Sequence, residues 1–342
     1  MLCGLLVLTA ACAPPAAPLP DVPLPAATPA PPVVFPRDAA PHDALTEWWY
    51  YTGHLTAADG HAYGFEFVIF QVRRQDQPTG YLSHFAVSDI DDQAFSHQAR
   101  FAQAAVAASD FPLDVGGWRL DHQGDVDTIQ ATMTPGEGVV SPFGLQLRLV
   151  GDKPPAQHHG GYITYPPFGG SYYYSRTRLS VSGSVTVSDG APAQDVSGIA
   201  WMDHQWGNFI IASRGGWDWY SLQFDDNTEL MLYVVRSETG ETTAVYGTYI
   251  AADGQAQDLA PGSVLSSALG TWTSPHSGAV YPSGWQLTLP DGSHITLTPQ
   301  LEDQELWFPQ TPGLFQYWEG AVQISGDRQG QGYVELTGYA DQ

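Results

Sequence analysis

The chain has 342 residues, of which 12 are Lys or Arg and 36 are Asp or Glu, giving a formal net charge of −24. Such an acidic chain repels the phosphates of nucleic acids and of anionic membranes, so we expect no nucleic-acid binding and no docking on a membrane through charge. The hydrophobic fraction of 43% is enough for folded cores, and at about 150 residues per domain the length predicts two domains.

The first twelve residues, MLCGLLVLTAAC, form a short apolar stretch that ends in small residues before a cysteine. Segment 1–12 is typical of a bacterial lipoprotein signal, in which Cys12 would be acylated. No Lys or Arg precedes the apolar run, so an ordinary cleaved signal or a misassigned start stays an alternative. The lipoprotein interpretation predicts an exported protein of the cell envelope that contacts the membrane only through its lipid anchor.

Residues 13–41 are rich in Pro and Ala. Such a composition favours an extended, semi-rigid linker rather than a packed core. No later segment is apolar enough to predict a transmembrane helix. The two cysteines, Cys3 and Cys12, precede the body of the chain, so the sequence predicts neither a disulfide nor a thiolate metal site there.

From residue 42 onward, short runs alternate in hydrophobicity at period two, and Gly, Asp and Asn mark turns between them. Examples are HAYGFEFVIFQVR, FGLQLRLV, RLSVSGSVTV, ELMLYVVR and GYVELTGY. Many short strands at regular spacing predict an all-β fold built as a sandwich or barrel. One helix is predicted, near residues 99–108, where alanine is frequent.

A weak internal echo indicates how many units the body contains. Residues 47–73 read as an aromatic strand, a turn, a second strand and an arginine, and residues 216–236 repeat that plan with a shorter turn. If these are matching hairpins, the chain holds two similar β-domains. Domain size then places the first at residues 42–197 and the second at residues 198–342.

An ordered set of motifs gives the chain a resemblance to a known family. The motifs are EWWYYTGHL, YGFEFVIFQVR, SHFAVSDI, SYYYSRTRL, GIAWMDHQWGNF, GWDWYSLQFDDNTELMLYVVR, YPSGWQLTLP, YWEGAVQISG and GYVELTGY. In this order and spacing they resemble the AttH-like family, which includes the carotenoid 1,2-hydratases (hydroxyneurosporene synthases). The resemblance implies two lipocalin-like (calycin) antiparallel β-barrels in tandem, which can enclose a hydrophobic ligand.

The resemblance leaves two functions open. The AttH branch comprises exported proteins associated with ABC-type permeases. This branch predicts binding, with or without transformation, of a hydrophobic small molecule. The hydratase branch implies a cofactor-independent hydro-lyase that adds water to a terminal double bond of an acyclic carotenoid. The predicted export favours the first branch. The strand ELMLYVVR favours it too: if a hydratase needs a proton-donating carboxylate deep in this strand, the chain lacks one, because its only acid there is Glu229 at the margin.

The motif at residues 198–209 holds the predicted catalytic residues, Asp203 and His204. Hydration of an isolated alkene needs a carboxyl that is kept protonated by burial, and a base that orients water. Asp203 is the predicted proton donor and His204 the predicted base. Strand alternation puts Trp201 and Asp203 on one face and His204 on the other. The alternative is that Asp203 and His204 form a satisfied polar pair at the domain junction.

Clustered aromatic residues predict a polyene or lipid-like ligand. The predicted ligand-binding residues are Trp49, Tyr51, Trp201, Trp206, Trp217 and Trp219. Core and interdomain packing is the alternative role for each of them.

The remaining ionisable residues are interpreted as structural. Glu47 and Glu66 are expected to form buried ion pairs with arginines that bridge the barrels. The histidines at 84, 158, 159 and 204 have no spacing typical of a metal site, so we expect no metal and no cofactor.

Overall fold

The computed structural model describes residues 30–74, 77–104, 107–165, 169–188, 190–208, 215–309 and 316–340, and the backbone of residues 17 and 18. Within these residues the regular structure is β-strand, apart from one 3₁₀ turn at Arg37–Ala39. The predicted all-β class is therefore confirmed. The described residues contain no helix with the length and hydropathy needed to span a membrane. The predicted signal at 1–12, with Cys12, lies outside the described residues.

The first antiparallel sheet curls into a nearly closed barrel. Its strands are β2 (Thr46–Ala57), β3 (Ala62–Val72), β4 (Thr79–Asp89), β5 (Ala94–Ala104), β6 (Leu113–Val115), β7 (Trp118–Gln123), β8 (Val126–Thr132), β9 (Gly144–Gly151), β10 (Ala156–Thr164), β11 (Gly170–Thr186) and β12 (Gln194–Gly207). Their order is β5-β4-β3-β2-β12-β11-β9-β8-β7-β6, and β10 pairs with β11. Arg100 on the edge strand β5 donates to the carbonyl oxygens of Gly116, between β6 and β7, and of Thr132, at the end of β8, which helps to close the barrel.

The second antiparallel sheet forms a half-barrel. Its strands are β1 (Ala17–Pro18), β13 (Gly215–Phe224), β14 (Glu229–Ser237), β15 (Thr242–Ile250), β16 (Ala256–Asp258), β17 (Leu265–Thr273), β18 (Val280–Thr288), β19 (His294–Pro299), β20 (Glu305–Leu306), β21 (Tyr317–Gly326) and β22 (Gly330–Thr337). Their order is β1-β17-β18-β19-β21-β22-β13-β14-β15-β16, and β20 pairs with β21.

The internal echo corresponds to equivalent hairpins. In the first sheet, β2 pairs with β3 and with the last strand, β12. In the second sheet, β13 pairs with β14 and with the last strand, β22. Each unit therefore closes its first strand against its last, and the two sheets are the two tandem barrels that the sequence predicts.

Two predicted boundaries need correction. The boundary between residues 197 and 198 falls inside β12, because cross-strand pairing with β2 and β11 holds residues 198–207 in the first sheet. The predicted linker at 13–41 is not wholly a spacer, since Val33 is 6% exposed and packs in the core of the first barrel.

The predicted helix near residues 99–108 is wrong. Residues 94–104 form β5, which pairs with β4 along its whole length. The helix propensity of alanine is a few tenths of a kcal/mol per residue. Pairing to β4 satisfies a full row of backbone groups, so the tertiary context overrides that propensity.

Three of the four buried hydrophobic clusters among the described residues are large. The first fills the interior of the first barrel with large side chains such as Trp49 and Trp118, and the second lines the half-barrel. The third lies where the outer faces of the two sheets pack together, and we call it the inter-sheet layer. The largest residues of this layer are Tyr50, Tyr165, Tyr173, Trp201, Trp219, Tyr233, Tyr246 and Tyr333.

Candidate functional site

Four carboxyl groups enter the inter-sheet layer from strands of both sheets. Glu66 lies on β3 and Asp203 on β12, whereas Glu319 on β21 and Glu335 on β22 are direct partners across the second sheet. Glu66, Asp203 and Glu319 are at most 3% exposed, and Glu335 is partly buried. Strand alternation explains the grouping, because each carboxyl occupies a position that points away from its own barrel.

Hydroxyl and indole groups hold one oxygen of each glutamate. Tyr317 donates to Glu66 Oε1 at 2.8 Å, and Tyr50 donates to Glu319 Oε1 at 2.7 Å. The indole nitrogen of a partly buried tryptophan, Trp217, donates to Glu335 Oε2 at 3.0 Å.

The second oxygens of two of these glutamates have no such support. Among the described residues, Glu66 Oε2 and Glu319 Oε2 are buried without a hydrogen-bond partner. A buried polar atom left unpaired costs about 1–3 kcal/mol, so such an atom calls for an explanation, and a bound water or ligand group is one.

Burial keeps these carboxyls protonated. Removal from water raises the pKa of Glu66 to about 8 and the pKa of Glu335 to about 7. Burial also raises the pKa of Glu319 well above its usual range, and the nearby carboxyls of Glu335 and Glu66 raise it further. At neutral pH, Glu66 and Glu319 are therefore acids that hold a proton in an apolar, aromatic environment.

Asp203 belongs to the same layer, but its oxygens are occupied. Trp201 donates to Oδ1 at 2.6 Å, Tyr173 donates to Oδ2 at 2.6 Å, and Ser175 donates to Oδ1. Burial raises the pKa of Asp203 to about 7 although these three hydrogen bonds favour the charged form. Asp203 is thus fixed between strands, and the neighbouring glutamates have the freer oxygens.

A polar chain extends from Asp203 into the second sheet. Ser175, which donates to Asp203, lies 2.7 Å from His158 Nε2, and His158 Nδ1 lies 2.9 Å from the hydroxyl of Thr248 on β15. Tyr173 accepts a hydrogen bond of 3.0 Å from the indole of Trp219 on β13. Asp203 therefore helps to join the two sheets.

His204 does not share a site with Asp203. Its side chain points into the first barrel, where Nε2 lies 2.8 Å from Glu47 Oε1 and Nδ1 lies 3.0 Å from the hydroxyl of Tyr174. Burial lowers the pKa of His204. Neighbouring residues of a strand face opposite sides, so the predicted donor and base are separated by the sheet itself.

The predicted ligand-binding residues divide in the same way. Trp201 and Trp219 are buried in the inter-sheet layer, and Trp217 packs at its edge. Trp49, Tyr51 and Trp206 lie in the core of the first barrel. Only the first three can contact a molecule bound beside the glutamates.

The structure also corrects the predicted arginine partners. Glu66 accepts from Tyr317, and Glu47 contacts His42, His204 and Gln71. The glutamate that does bridge the sheets to an arginine is Glu229, whose Oε1 accepts from Arg178 at 2.6 Å.

Glu319, Glu335 and Tyr317 lie in this site although no sequence pattern predicted a role for them. Strand alternation in YWEGAVQ and GYVELTG puts each glutamate on the face of its strand opposite to the core-facing residues. No local pattern indicates that the other sheet covers this outer face. His84 was considered only as a metal ligand. Its Nδ1 lies 2.7 Å from the hydroxyl of Tyr317, and burial lowers its pKa to about 3.

The raised carboxyl pKa values predict that folding stability falls as pH rises from about 6.5 to 8. Below about pH 8 Glu66 is mostly protonated in the folded chain, and the pKa of Glu319 is also raised well above its usual range, whereas both carboxyls are ionised in the unfolded chain. Each such group lowers the free energy of unfolding by about 1.4 kcal/mol per pH unit. Urea unfolding at fixed pH values measures this slope.

Below pH 6.5 the trend is opposed by buried histidines. Burial lowers the pKa of His54 to about 4 and those of His84 and His158 to about 3. As pH falls below 6.5, the unfolded chain therefore binds protons at these histidines before the folded chain does, and the free energy of unfolding decreases. Glu319→Gln should reduce the slope above pH 6.5 by about 1.4 kcal/mol per pH unit. A flat stability between pH 6.5 and 8 in the wild type would contradict the protonated state of these carboxyls.

Comparison with known proteins agrees with the motifs. The family model described as AttH-like matches residues 26–339. The crystal structure of an AttH protein from Nitrosomonas europaea superposes with a TM-score of 0.81 at 29% sequence identity, covering 91% of this chain and 98% of that chain. The resemblance inferred from the sequence is therefore confirmed. No curated protein matches the sequence.

A second structural neighbour is more distant. Kievitone hydratase from Nectria haematococca superposes with a TM-score of 0.72 at 15% identity, covering 96% of this chain and 99% of that chain. At that identity the likeness shows a shared fold.

Proposed function

Because the chain belongs to the AttH-like family, we propose that it binds a hydrophobic unsaturated molecule in its inter-sheet layer and adds water to one of its double bonds. The observation that carries this proposal is the pair of buried glutamates, Glu66 and Glu319, each with an oxygen that has no hydrogen-bond partner among the described residues and each with a pKa that burial raises. Such groups in an aromatic layer are suited to protonating carbon, which a binding protein alone does not require.

Glu66 is the proton donor in this proposal. Its acidic proton can pass from Oε2 to an alkene carbon, which leaves a carbocation on the adjacent carbon. Water then attacks the cation, and the proton that this water loses returns to the Glu66 carboxylate. The hydroxyl of Tyr317, held by His84, stays on the other oxygen and keeps the carboxyl oriented through both steps.

Aromatic faces supply the second requirement. A cation near an indole or phenol ring is stabilised by about 0.5–2 kcal/mol through the ring quadrupole. Tyr50 and Trp219 pack edge to face with ring centroids 5.2 Å apart in the layer, and Trp217 packs beside them. Trp48 and Phe70 are partly buried against the same cluster, and in this proposal they add aromatic surface beside the carboxyls.

The substrate class proposed is a polyene, with an acyclic carotenoid as the test compound. The second structural neighbour is named as a hydratase, kievitone hydratase, which is the reaction class proposed here. The proposal itself rests on the carboxyls of this chain. Neither a metal nor a redox cofactor takes part in the proposed steps.

The test supplies purified protein with an acyclic carotenoid dispersed in detergent. We expect tryptophan fluorescence to be quenched on binding, and a product that carries one added water to be detected by mass spectrometry. Trp219→Phe should reduce the quenching, whereas Trp272→Phe, on β17 away from the layer, should not. Absence of both quenching and product in the wild type would refute the proposal for polyenes.

We also propose that the protein works at the cell envelope, anchored through Cys12 and spaced from the membrane by the Pro- and Ala-rich segment after it. An ABC-type permease is the proposed partner there, acting on the same hydrophobic molecule. Fatty-acid labelling of the full chain that is lost in Cys12→Ser would support the anchor. Co-purification of a permease with the anchored protein would support the partner.

A further inference from the structure

Two histidines and a glutamate meet at the mouth of the first barrel, on the opposite side of β12 from the inter-sheet layer. Glu47 Oε1 lies 2.7 Å from His42 Nδ1 and 2.8 Å from His204 Nε2. One ligand atom from each of the three residues lies within 4.8 Å of the others. His42 precedes β2, Glu47 lies on β2 and His204 lies on β12, so two adjacent strands and the segment before them build the cluster.

His42 has a carboxylate at each ring nitrogen. Nδ1 faces Glu47, whereas Nε2 is buried without a hydrogen-bond partner among the described residues and lies 3.5 Å from Asp38 Oδ1. In a neutral imidazole that donates from Nδ1, the lone pair of Nε2 faces the Asp38 carboxylate. If Nδ1 instead binds a cation, Nε2 carries the hydrogen and points at Asp38. A histidine ligand commonly donates its second nitrogen to a carboxylate in this way.

Glu47 and His204 are also oriented to act as ligands of a cation. Glu47 Oε2 accepts from the backbone N–H of His42 at 2.8 Å and from Gln71 at 3.2 Å, which leaves Oε1 to act as a monodentate ligand. His204 Nδ1 lies 3.0 Å from the hydroxyl of Tyr174, which can accept a hydrogen from it when Nε2 binds a cation. Each histidine therefore needs only a change of tautomer to present a nitrogen lone pair to a cation.

Packing keeps the imidazoles in place. The His42 ring stacks on Trp206 with centroids 4.0 Å apart and planes 3° apart, and His204 stacks on Trp49 at 5.0 Å. Rigid rings are what a preformed site requires, because the cost of orienting the ligands is then met by folding.

One side of the cluster faces solvent. A cleft of about 510 Å³ adjoins it, lined by His42, Tyr162, Tyr172, Trp206 and Asn208 among others, and the His42 side chain is 20% exposed there. A cation held by the three residues would keep open positions for water or an oxygen-bearing ligand in this cleft.

We propose that His42, Glu47 and His204 bind a divalent first-row transition-metal ion such as Zn²⁺. Two imidazoles and one carboxylate form a donor set of the kind found in zinc sites that keep an open position, and imidazole donors disfavour Ca²⁺ and Mg²⁺. Bonds of about 2.0–2.2 Å in a tetrahedral site put ligand atoms about 3.3 Å apart. The nitrogens need to move from Glu47 Oε1 by only about half an ångström to accept the ion.

The test measures metal content and affinity in the full-length protein and two variants. Wild type stripped by chelator and titrated with Zn²⁺ should bind one equivalent at this site. His42→Asn should weaken that binding by at least 10-fold. His61→Asn is the matched control, because it alters the other cluster of this type in the described residues, His61 with Asp89 and Asp92. Binding at the first site should be unchanged in this control.

The outcomes separate the alternatives. His42 is partly exposed and lies outside the strands, so His42→Asn should melt at the temperature of the metal-free wild type. If that variant does not fold, Co²⁺ in the wild type still reports the site, since its visible absorption and X-ray absorption reveal two imidazole ligands. Wild type that takes up no Zn²⁺ or Co²⁺, as expected if His42 simply bridges two carboxylates, overturns the proposal. So does equal Zn²⁺ affinity in His42→Asn.

Discussion

Glu66→Gln is expected to lower the rate of hydration by about 10²–10⁴-fold, the usual contribution of a positioned general acid. Glutamine keeps the shape of the side chain, and its amide oxygen can still accept the hydrogen bond from Tyr317. What it loses is the acidic proton. Ligand affinity, measured by fluorescence quenching, should therefore change little while turnover of the carotenoid nearly ceases.

The pH profile gives this prediction a second readout. Since burial raises the pKa of Glu66 to about 8, the wild-type rate should be steady near neutrality and fall above pH 8, as the carboxyl loses its proton. Glu302→Gln is the matched control, because Glu302 is exposed and offers only its backbone oxygen to Trp318. Full activity in Glu66→Gln would show that another group donates the proton.

Glu229→Gln is expected to destabilise the folded protein by about 3–5 kcal/mol, the range found when one partner of a buried ion pair is removed. Glu229 is fully buried at the start of β14. Its oxygens accept from Lys153 at 2.9 and 2.8 Å and from Arg178 at 2.6 Å. Arg178 lies on β11 and Lys153 in the connection between β9 and β10, and the substitution leaves these two cations of the first unit together without a counter-charge.

Urea unfolding measures the effect, and an exposed pair provides the comparison. Arg119 and Asp121 lie 3.9 Å apart with side chains 49% and 23% exposed, so Arg119→Gln should cost less than about 1 kcal/mol. The difference between the two variants isolates burial as the cause. A loss below about 1 kcal/mol in Glu229→Gln would mean that this ion pair is not needed to hold the sheets together.

The local order of the chain was predictable because strand periodicity is a property of adjacent residues. Alternation in the motif at 198–209 correctly separated Asp203 from His204, and the echo between residues 47–73 and 216–236 identified equivalent hairpins. The same reasoning failed for β5, where an alanine-rich segment predicts a helix until β4 lies beside it.

The candidate sites depended on contacts between distant parts of the chain. Glu66 and Tyr317 are 251 positions apart, and Glu47 and His204 are 157 apart, so no local pattern could show that they meet. The sequence by itself determined which residues share a strand face, because side chains alternate along any extended backbone. Only the tertiary structure decided which outer faces are covered. Burial between the two sheets turned ordinary surface glutamates into protonated acids, because a carboxyl removed from water disfavours its charged form.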